Sequence, residues 1–233
     1  MTMTVRPSAE RGHADHGWLD THHSFSFAHY FDPLHMGFRA LRVINEDVIA
    51  PATGFGTHGH HDMEIVTYVI DGALEHRDSM GEHSVIHPGE VQRMSAGTGI
   101  RHSESNPSRD NRVKLLQIWL LPAAEGLVPN YEQKLFSDEE KKNRLCPIVT
   151  ADGRNGALTV HQDVDLYASI LESGARIDFA LRPGRGAWIQ MVRGLVTVNG
   201  QPIGDGDGLA AEQVEALAIV ADRSSEFLLF DLA

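Results

Sequence analysis

Residues 55–64 read FGTHGHHDME, and the chain continues as IVTYVI over residues 65–70 before Asp71-Gly72. The β-branched and aromatic residues of the second segment predict a strand, and Asp-Gly predicts the turn that ends it. Side chains two residues apart in an extended chain share a face, so His58 and His60 project together. Glu64 returns to the same face if the strand continues unbroken.

A second short segment repeats this arrangement of metal-binding side chains. Residues 97–104 read GTGIRHSE, which places His102 and Glu104 two residues apart after a glycine-rich turn. If this strand lies beside the first, three imidazoles and a carboxylate surround one point. Such a ligand set suits a borderline transition metal such as iron, copper, nickel, manganese or zinc.

The rest of the chain also divides into short strands. Gly and Pro occur at the breaks, and this pattern is typical of a sandwich or a barrel. We therefore predict an all-β fold. The predicted strands are residues 40–49, 64–70, 73–77, 84–86, 91–95, 100–104 and 114–121 in the first half, and 157–161, 170–180, 187–192, 195–198, 208–210, 216–221 and 227–232 in the second.

Three other segments have a different character. Residues 1–10 are polar and are expected to be a loose terminus. Residues 24–27, SFSF, alternate like a short strand. Residues 126–147 are polar and charged and contain a helix start at Ser137, which is followed by DEE. We interpret this last segment as a linker with one short helix.

Three motifs, taken in order, resemble the pirin family of the cupin superfamily, and in particular its bacterial quercetinase-like branch. They are RGHADHGW at residues 11–18, HGHHDME at 58–64 and MSAGTGIRHSE at 94–104. The resemblance implies a bicupin, with two antiparallel jelly-roll β-barrels. We place a metal-binding barrel at residues 1–125 and a degenerate barrel at 148–233. The second barrel is expected to bind no metal, because its one histidine is His161 and no His-x-His occurs there.

The resemblance also bears on the choice of carboxylate ligand. In many cupins the glutamate of the first motif binds the metal, whereas in pirin-like proteins the glutamate two residues after the second-motif histidine does so. We therefore expect His58, His60, His102 and Glu104 to hold one divalent transition metal. Iron is the first expectation, and nickel, copper, manganese, cobalt and zinc are alternatives. Glu64 is expected to be a buried partner that could orient a ligand imidazole.

The start of the chain is unusually rich in histidine. We interpret these residues as hydrogen-bonded structural or surface groups and not as a second metal site, because their positions do not repeat one ligand spacing. They are His13, His16, His22, His23, His29 and His35.

The composition limits the classes of function. The 233 residues are enough for one large domain or two small ones. A net charge of −12 without a run of basic residues argues against direct nucleic-acid binding. The single cysteine, Cys146, cannot form an internal disulfide, and there is neither a signal peptide nor an apolar run that would span a bilayer. We expect a cytoplasmic monomer without membrane contact.

Two functions of different classes follow from the resemblance. The first is a metal-dependent dioxygenase that cleaves a flavonol such as quercetin, with dioxygen as co-substrate and with Glu104 accepting the proton of the substrate hydroxyl. The alternative is a non-enzymatic, metal-binding pirin that acts as a protein-binding or redox and stress regulatory module. Turnover of quercetin in air distinguishes the two.

Overall fold

The computed structural model describes residues 2–233, and strands dominate both halves of the chain. Alternation of apolar and polar residues between Gly and Pro turns accounts for most of these strands. The strands of the first half are β1 Thr2–Arg6, β2 Gly12–Asp15, β3 Leu19–His23, β4 Leu41–Ile49, β5 Gly54–His60, β6 Glu64–Asp71, β7 Leu74–Asp78, β8 His83–Ile86, β9 Glu90–Ser95, β10 Ile100–Ser105, β11 Val113–Leu120 and β12 Asn130–Leu135.

The second half begins after one short helix, α1, at Asp138–Lys141. Its strands are β13 Cys146–Thr150, β14 Leu158–Thr159, β15 Val164–Leu171, β16 Arg176–Ala180, β17 Gly186–Arg193, β18 Leu195–Val198, β19 Gln201–Gly204, β20 Gly208–Glu212, β21 Ala216–Ala221 and β22 Ser225–Leu232. Two 3-10 turns lie at Ser8–Glu10 and Arg154–Gly156. The prediction of an all-β fold is confirmed.

Each half consists of one seven-stranded and one four-stranded sheet. The large sheet of the first half has the order β12-β9-β6-β11-β4-β3-β2, and its small sheet has the order β5-β10-β7-β8. In the second half the orders are β1-β20-β17-β22-β15-β13-β14 and β16-β21-β18-β19. All of the strand pairs are antiparallel except β13 with β14.

Two strands cross the predicted domain boundaries. β1 lies in the range expected to be a loose terminus, but it pairs along its whole length with β20 of the second half, from Thr2 opposite Glu212 to Arg6 opposite Gly208. β12 lies in the predicted linker, but it pairs with β9 of the first half. Hydrogen bonds to these sheet edges satisfy the backbone N–H and C=O groups of both segments. Sequence periodicity does not reveal such pairing. The division at residues 125 and 148 stays a prediction.

Two further local predictions were wrong. Residues 24–27 form no strand, and Phe27 makes only an isolated bridge with Tyr30. The predicted strand over residues 170–180 is two strands, because the chain turns through Gly174 between β15 and β16. The predicted helix start is correct: the Ser137 hydroxyl accepts from the Glu140 backbone N–H, and the Glu140 carboxylate accepts from the Ser137 N–H, which forms a capping box.

The apolar side chains divide into a shared core and separate barrel interiors. Side chains of both large sheets pack together between the two halves, including Tyr68 and Ile118 from the first and Leu166 and Phe230 from the second. The interior of the second barrel is filled by apolar residues such as Phe227. The first barrel holds two smaller apolar clusters.

No helix within residues 2–233 is long and apolar enough to cross a membrane.

Candidate metal centre

The predicted ligands lie on two strands that pair directly with each other. β5 and β10 are antiparallel, with His102 opposite His58 and Ile100 opposite His60. The alternation of an extended chain then brings His58, His60 and His102 to one face of the small sheet, inside the first barrel. We refer to these three residues as the imidazole cluster.

The rings of the imidazole cluster are in mutual contact. Nε2 of His58 is 3.0 Å from Nε2 of His102. The three ring centroids are separated by 4.4 to 4.8 Å, and one nitrogen from each ring lies within 4.8 Å of the other two. His102 is buried, whereas His58 and His60 are partly exposed on the side of a cavity.

This geometry fits a transition-metal ion. Imidazole nitrogens about 2.1 Å from one ion and at right angles to each other are about 3.0 Å apart, which is the separation between His58 and His102. Three imidazoles also form a borderline donor set of the kind that binds divalent first-row metals.

Glu104 lies beside the cluster in a buried position. The pairing of β10 with β5 shifts register between His102 and Glu104, and the carboxylate is 3% exposed. Both of its oxygens accept hydrogen bonds from Nε2 of Gln117, at 3.0 Å each. Among the described residues Glu104 groups within 4.8 Å with His102 and His76, and not with His58 and His60.

The register shift at Glu104 depends on a glycine in the facing strand. Gly54 lies opposite Ser105. A Cβ at Gly54 would lie 2.2 Å from the carbonyl oxygen of Glu104 and 2.4 Å from Cα of Ser105. A residue without a side chain is therefore required where the two backbones approach each other.

Burial sets the protonation of the site. Burial raises the pKa of Glu104 to about 7, although the hydrogen bonds from Gln117 act in the opposite direction. Burial, together with the neighbouring His58, lowers the pKa of His60 to about 4. The same causes lower the pKa of His102 to about 2, with His60 and His76 contributing. Neutral imidazole is the form that binds metal, so these two rings are ready to act as ligands at neutral pH.

Two residues of the site have no counterpart in the sequence prediction. His76 on β7 is fully buried, and its Nδ1 is 3.5 Å from Nδ1 of His102. Its Nε2 is 3.2 Å from the carboxylate of Asp78. Gln117 interrupts an apolar strand, and a polar residue in such a run was the available signal for a buried partner. For His76 the signal was weaker, because only the pairing of β7 with β10 brings it to the site.

Glu64 is buried as predicted, but the prediction that it contacts a ligand imidazole was wrong. Glu64 is buried, but it belongs to the large sheet, and its carboxylate accepts from the Ser95 hydroxyl at 2.8 Å and lies 3.0 Å from Nδ1 of His161. Asp62 adopts a φ of 46° and turns the chain out of β5. The strand is therefore interrupted, and Glu64 does not share the face of His58 and His60.

A cavity of about 410 Å³ opens onto the candidate metal centre. Its volume lies in the usual range for small-molecule sites, roughly 300–1,000 Å³. Large aromatic side chains form much of the wall, and His58, His60 and Glu104 also line it. The aromatic residues are Trp18, Phe27, Phe55 and Trp119.

The wall formed by β3 and β4 is polar. The Thr21 hydroxyl donates to the carboxylate of Asp47 at 2.5 Å, and Nδ1 of His23 is 2.7 Å from Oδ1 of Asn45. Burial raises the pKa of Asp47 to about 7, and the nearby carboxylate of Glu104 adds to this effect. The cavity thus combines planar apolar surfaces with buried hydrogen-bonding groups.

Family comparisons match both halves of the chain. A model described as Pirin matches residues 4–120, and a model described as Quercetinase C-terminal cupin domain matches residues 147–232. Together with the two pairs of sheets, these matches confirm the predicted arrangement of two cupin domains.

Similar proteins extend over nearly the full length. A quercetin 2,3-dioxygenase of Escherichia coli K12 is 51% identical over 228 residues, which are 98% of this chain and 97% of that protein. The crystal structure of YhhW from Escherichia coli has a TM-score of 0.97 at 50% identity and covers 100% of this chain and 98% of its own. A structure of bacterial pirin YhhW in complex with nickel(II) has a TM-score of 0.96 at 50% identity, with 99% of each chain covered.

Proposed function

The chain belongs to the pirin family, and from that premise we propose that it is a metal-dependent dioxygenase that cleaves a flavonol such as quercetin. The observation that carries this proposal is the junction of the imidazole cluster with an aromatic cavity of about 410 Å³. A planar polycyclic substrate fits such a cavity, and its oxygens would then meet the metal-binding side chains.

We further propose that His58, His60, His102 and Glu104 hold one divalent transition metal. The contacts within the imidazole cluster and the place of Glu104 beside His102 support this set. Iron is our first choice of metal, and the nickel(II) complex of YhhW supports nickel as an alternative. When bound, such an ion would lower the pKa of the flavonol 3-hydroxyl by acting as a Lewis acid.

Glu104 is the group best placed to take the proton of that hydroxyl. It lines the cavity, and burial raises the pKa of its carboxyl above that of an exposed carboxyl, which makes it a stronger base. Gln117 donates to both of its oxygens, and the Gln117 carbonyl in turn accepts from Thr67 at 3.0 Å. This chain of hydrogen bonds fixes the orientation of the carboxylate, so Glu104 is proposed as the catalytic base.

The aromatic side chains of the cavity wall supply apolar surface for binding the substrate and for excluding water. Trp18 and Phe55 contact edge to face with centroids 5.1 Å apart, and Phe27 and Trp119 do so at 5.3 Å. Such rigid side chains present flat surfaces to an aromatic substrate at a small cost in conformational entropy. The indole N–H of Trp119 is buried and has no hydrogen-bond partner among residues 2–233.

Comparison of two flavonoids tests the proposal. The metal-loaded protein is incubated in air with quercetin and, separately, with its analogue that lacks the 3-hydroxyl. Loss of quercetin with release of carbon monoxide and formation of a depside is expected, whereas the analogue should stay intact because it has no proton to give. Consumption of both compounds at one rate would contradict the role given to the 3-hydroxyl. Persistence of quercetin would favour the alternative, a metal-binding module for a protein partner.

A further inference from the structure

The outer face of the hairpin formed by β2 and β3 carries a second group of metal-binding side chains. The two strands are antiparallel, with His13 opposite His22 and Asp15 opposite Asp20. Because side chains alternate along a strand, Thr21 and His23 face the central cavity, and Asp20 and His22 point to the other side. The group therefore lies apart from the imidazole cluster.

The distances within this group are close to those of a metal site. Nε2 of His13 is 2.8 Å from Oδ1 of Asp20, and Nδ1 of His22 is 3.8 Å from the same oxygen. One donor atom from each of the three residues lies within 4.8 Å of the other two. Donors held by one ion at about 2.0–2.2 Å are roughly 3.0–3.6 Å apart. The three side chains are exposed, so rotation of one or more of them can bring the donors to that spacing.

Strand pairing fixes the backbone of this group, and a side chain must turn before both imidazoles can surround one ion. The rings of His13 and His22 stack with centroids 4.4 Å apart and an angle of 19° between their planes. Both strands are held by hydrogen bonds along the hairpin, and β3 is also paired with β4. The backbone positions of the three donors are therefore fixed before any ion binds, which limits the entropic cost of binding.

The positive charge of Arg11 acts on His22 and is partly offset by neighbouring carboxylates. The nearest cationic side chain of the hairpin is Arg11, and its guanidinium is paired with the carboxylate of Glu46 at 2.8 Å. Glu46 is also paired with Lys114. Asp20 remains as the carboxylate between the two imidazoles, and the chain as a whole carries a net charge of −12.

We propose that His13, Asp20 and His22 form a second metal site, which takes a divalent borderline ion such as Zn²⁺. Two imidazoles and one carboxylate supply three donors, and the exposure of the side chains, 53%, 44% and 35%, leaves the remaining positions to water. By the general order of affinities, Cu²⁺ binds the same donors more tightly than Zn²⁺. This proposal revises our expectation from the sequence, in which the unequal spacing of these residues argued against a second site. Strand pairing brings them together regardless of that spacing.

This inference does not depend on the proposed catalytic function. The hairpin site is open to solvent and has three protein donors, whereas the central site has four proposed donors, of which His102 and Glu104 are buried. The hairpin site should therefore lose its ion on dialysis against chelator and regain it when Zn²⁺ is added, while the central metal is retained. The property to measure is a second, weaker binding step.

The test uses the full-length protein with its central metal in place. After dialysis, Zn²⁺ is added, and bound metal is measured by equilibrium dialysis and elemental analysis for the native protein and for His13→Gln, His22→Gln and His87→Gln. His87 is an exposed histidine outside every group of potential ligands in the described chain, and it serves as the matched control. We expect one further equivalent of Zn²⁺ in the native protein and in His87→Gln. In His13→Gln and His22→Gln its affinity should fall by at least about tenfold, with the central metal unchanged.

A spectroscopic measurement separates this site from non-specific binding. Cu²⁺ added as the second equivalent should give an electron paramagnetic resonance spectrum with hyperfine coupling to two imidazole nitrogens, and His22→Gln should remove one of them. The proposal is overturned if His22→Gln binds the second equivalent as tightly as the native protein. It is equally overturned if His87→Gln loses that equivalent.

Discussion

Gln117 donates its side-chain amide to both carboxylate oxygens of Glu104, at 3.0 Å each. Gln117 lies on β11 of the large sheet and Glu104 on β10 of the small sheet, so the contact joins the two walls of the first barrel. The contact holds a carboxylate that is 3% exposed and whose pKa is raised to about 7. A carboxylate whose pKa lies near neutral pH is thereby fixed next to the imidazole cluster.

Removing His102 should empty the central site. In His102→Ala, metal content measured by elemental analysis should fall from about one equivalent to near zero. Affinity should fall by more than the roughly 10–100-fold loss that follows removal of an outer partner of a metal ligand. The strands should remain, because the apolar cores of the two halves do not depend on this residue. His87→Ala, in an exposed histidine away from the site, should retain its metal. A full metal content in His102→Ala would exclude His102 as a ligand.

The pH dependence of metal affinity should depend on Glu104. With a pKa of about 7, the carboxyl carries a proton below neutrality and must lose it to bind a cation. Apparent metal affinity should therefore rise with pH between 5 and 7, by up to about tenfold per unit from this one proton. His60 and His102, with pKa values of about 4 and 2, do not titrate in that window.

The matching variants are Glu104→Gln and Glu64→Gln, measured by competition with a chromophoric chelator. Glu104→Gln should bind metal more weakly. Between pH 5 and 7, the slope of its log metal affinity against pH should be smaller, because one fewer proton is released on binding. Glu64→Gln should keep both the metal and the slope, because Glu64 contacts Ser95 and His161 instead of the cluster. The reverse pattern would assign the ligand carboxylate to Glu64.

Replacement of Gly54 should disturb the candidate metal centre, and replacement of Gly56 should not. In Gly54→Ala the new methyl group would meet the Glu104 carbonyl oxygen at 2.2 Å, so β5 and β10 must separate. We expect a loss of about 1–3 kcal/mol in the free energy of unfolding, together with weaker metal binding. Gly56→Ala is the control on the same strand, since a Cβ there has no neighbour within 4 Å. Equal stability and metal affinity in the two variants would refute this account of the register shift.

Sequence patterns predicted the features that depend on neighbouring residues. Alternation gave the shared face of His58 and His60, and glycine and proline marked most strand ends. The helix start at Ser137 was also predicted from the sequence, because the residues that form its cap are consecutive.

Features that depend on strand pairing were not predictable in this way. His76 and Gln117 reach the site only because β7 pairs with β10 and because the two sheets face each other. Glu64 was misassigned because one residue with positive φ, Asp62, interrupts the strand. The pairing of His13 with His22 was not predicted, and neither was the pairing of β1 with β20 of the second half. In both cases the local sequence does not determine which strands pair.

The proposed enzyme deprotonates a bound flavonol and then consumes it with dioxygen. The most direct measurement is the near-ultraviolet absorption band of quercetin bound to the metal-loaded protein near neutral pH, first without oxygen and then after oxygen is admitted. We predict a red shift without oxygen, because the flavonol binds as its anion, and decay of the shifted band only after oxygen is added. A band that stays unshifted, or that persists in air as is expected with His58→Ala, would contradict this mechanism.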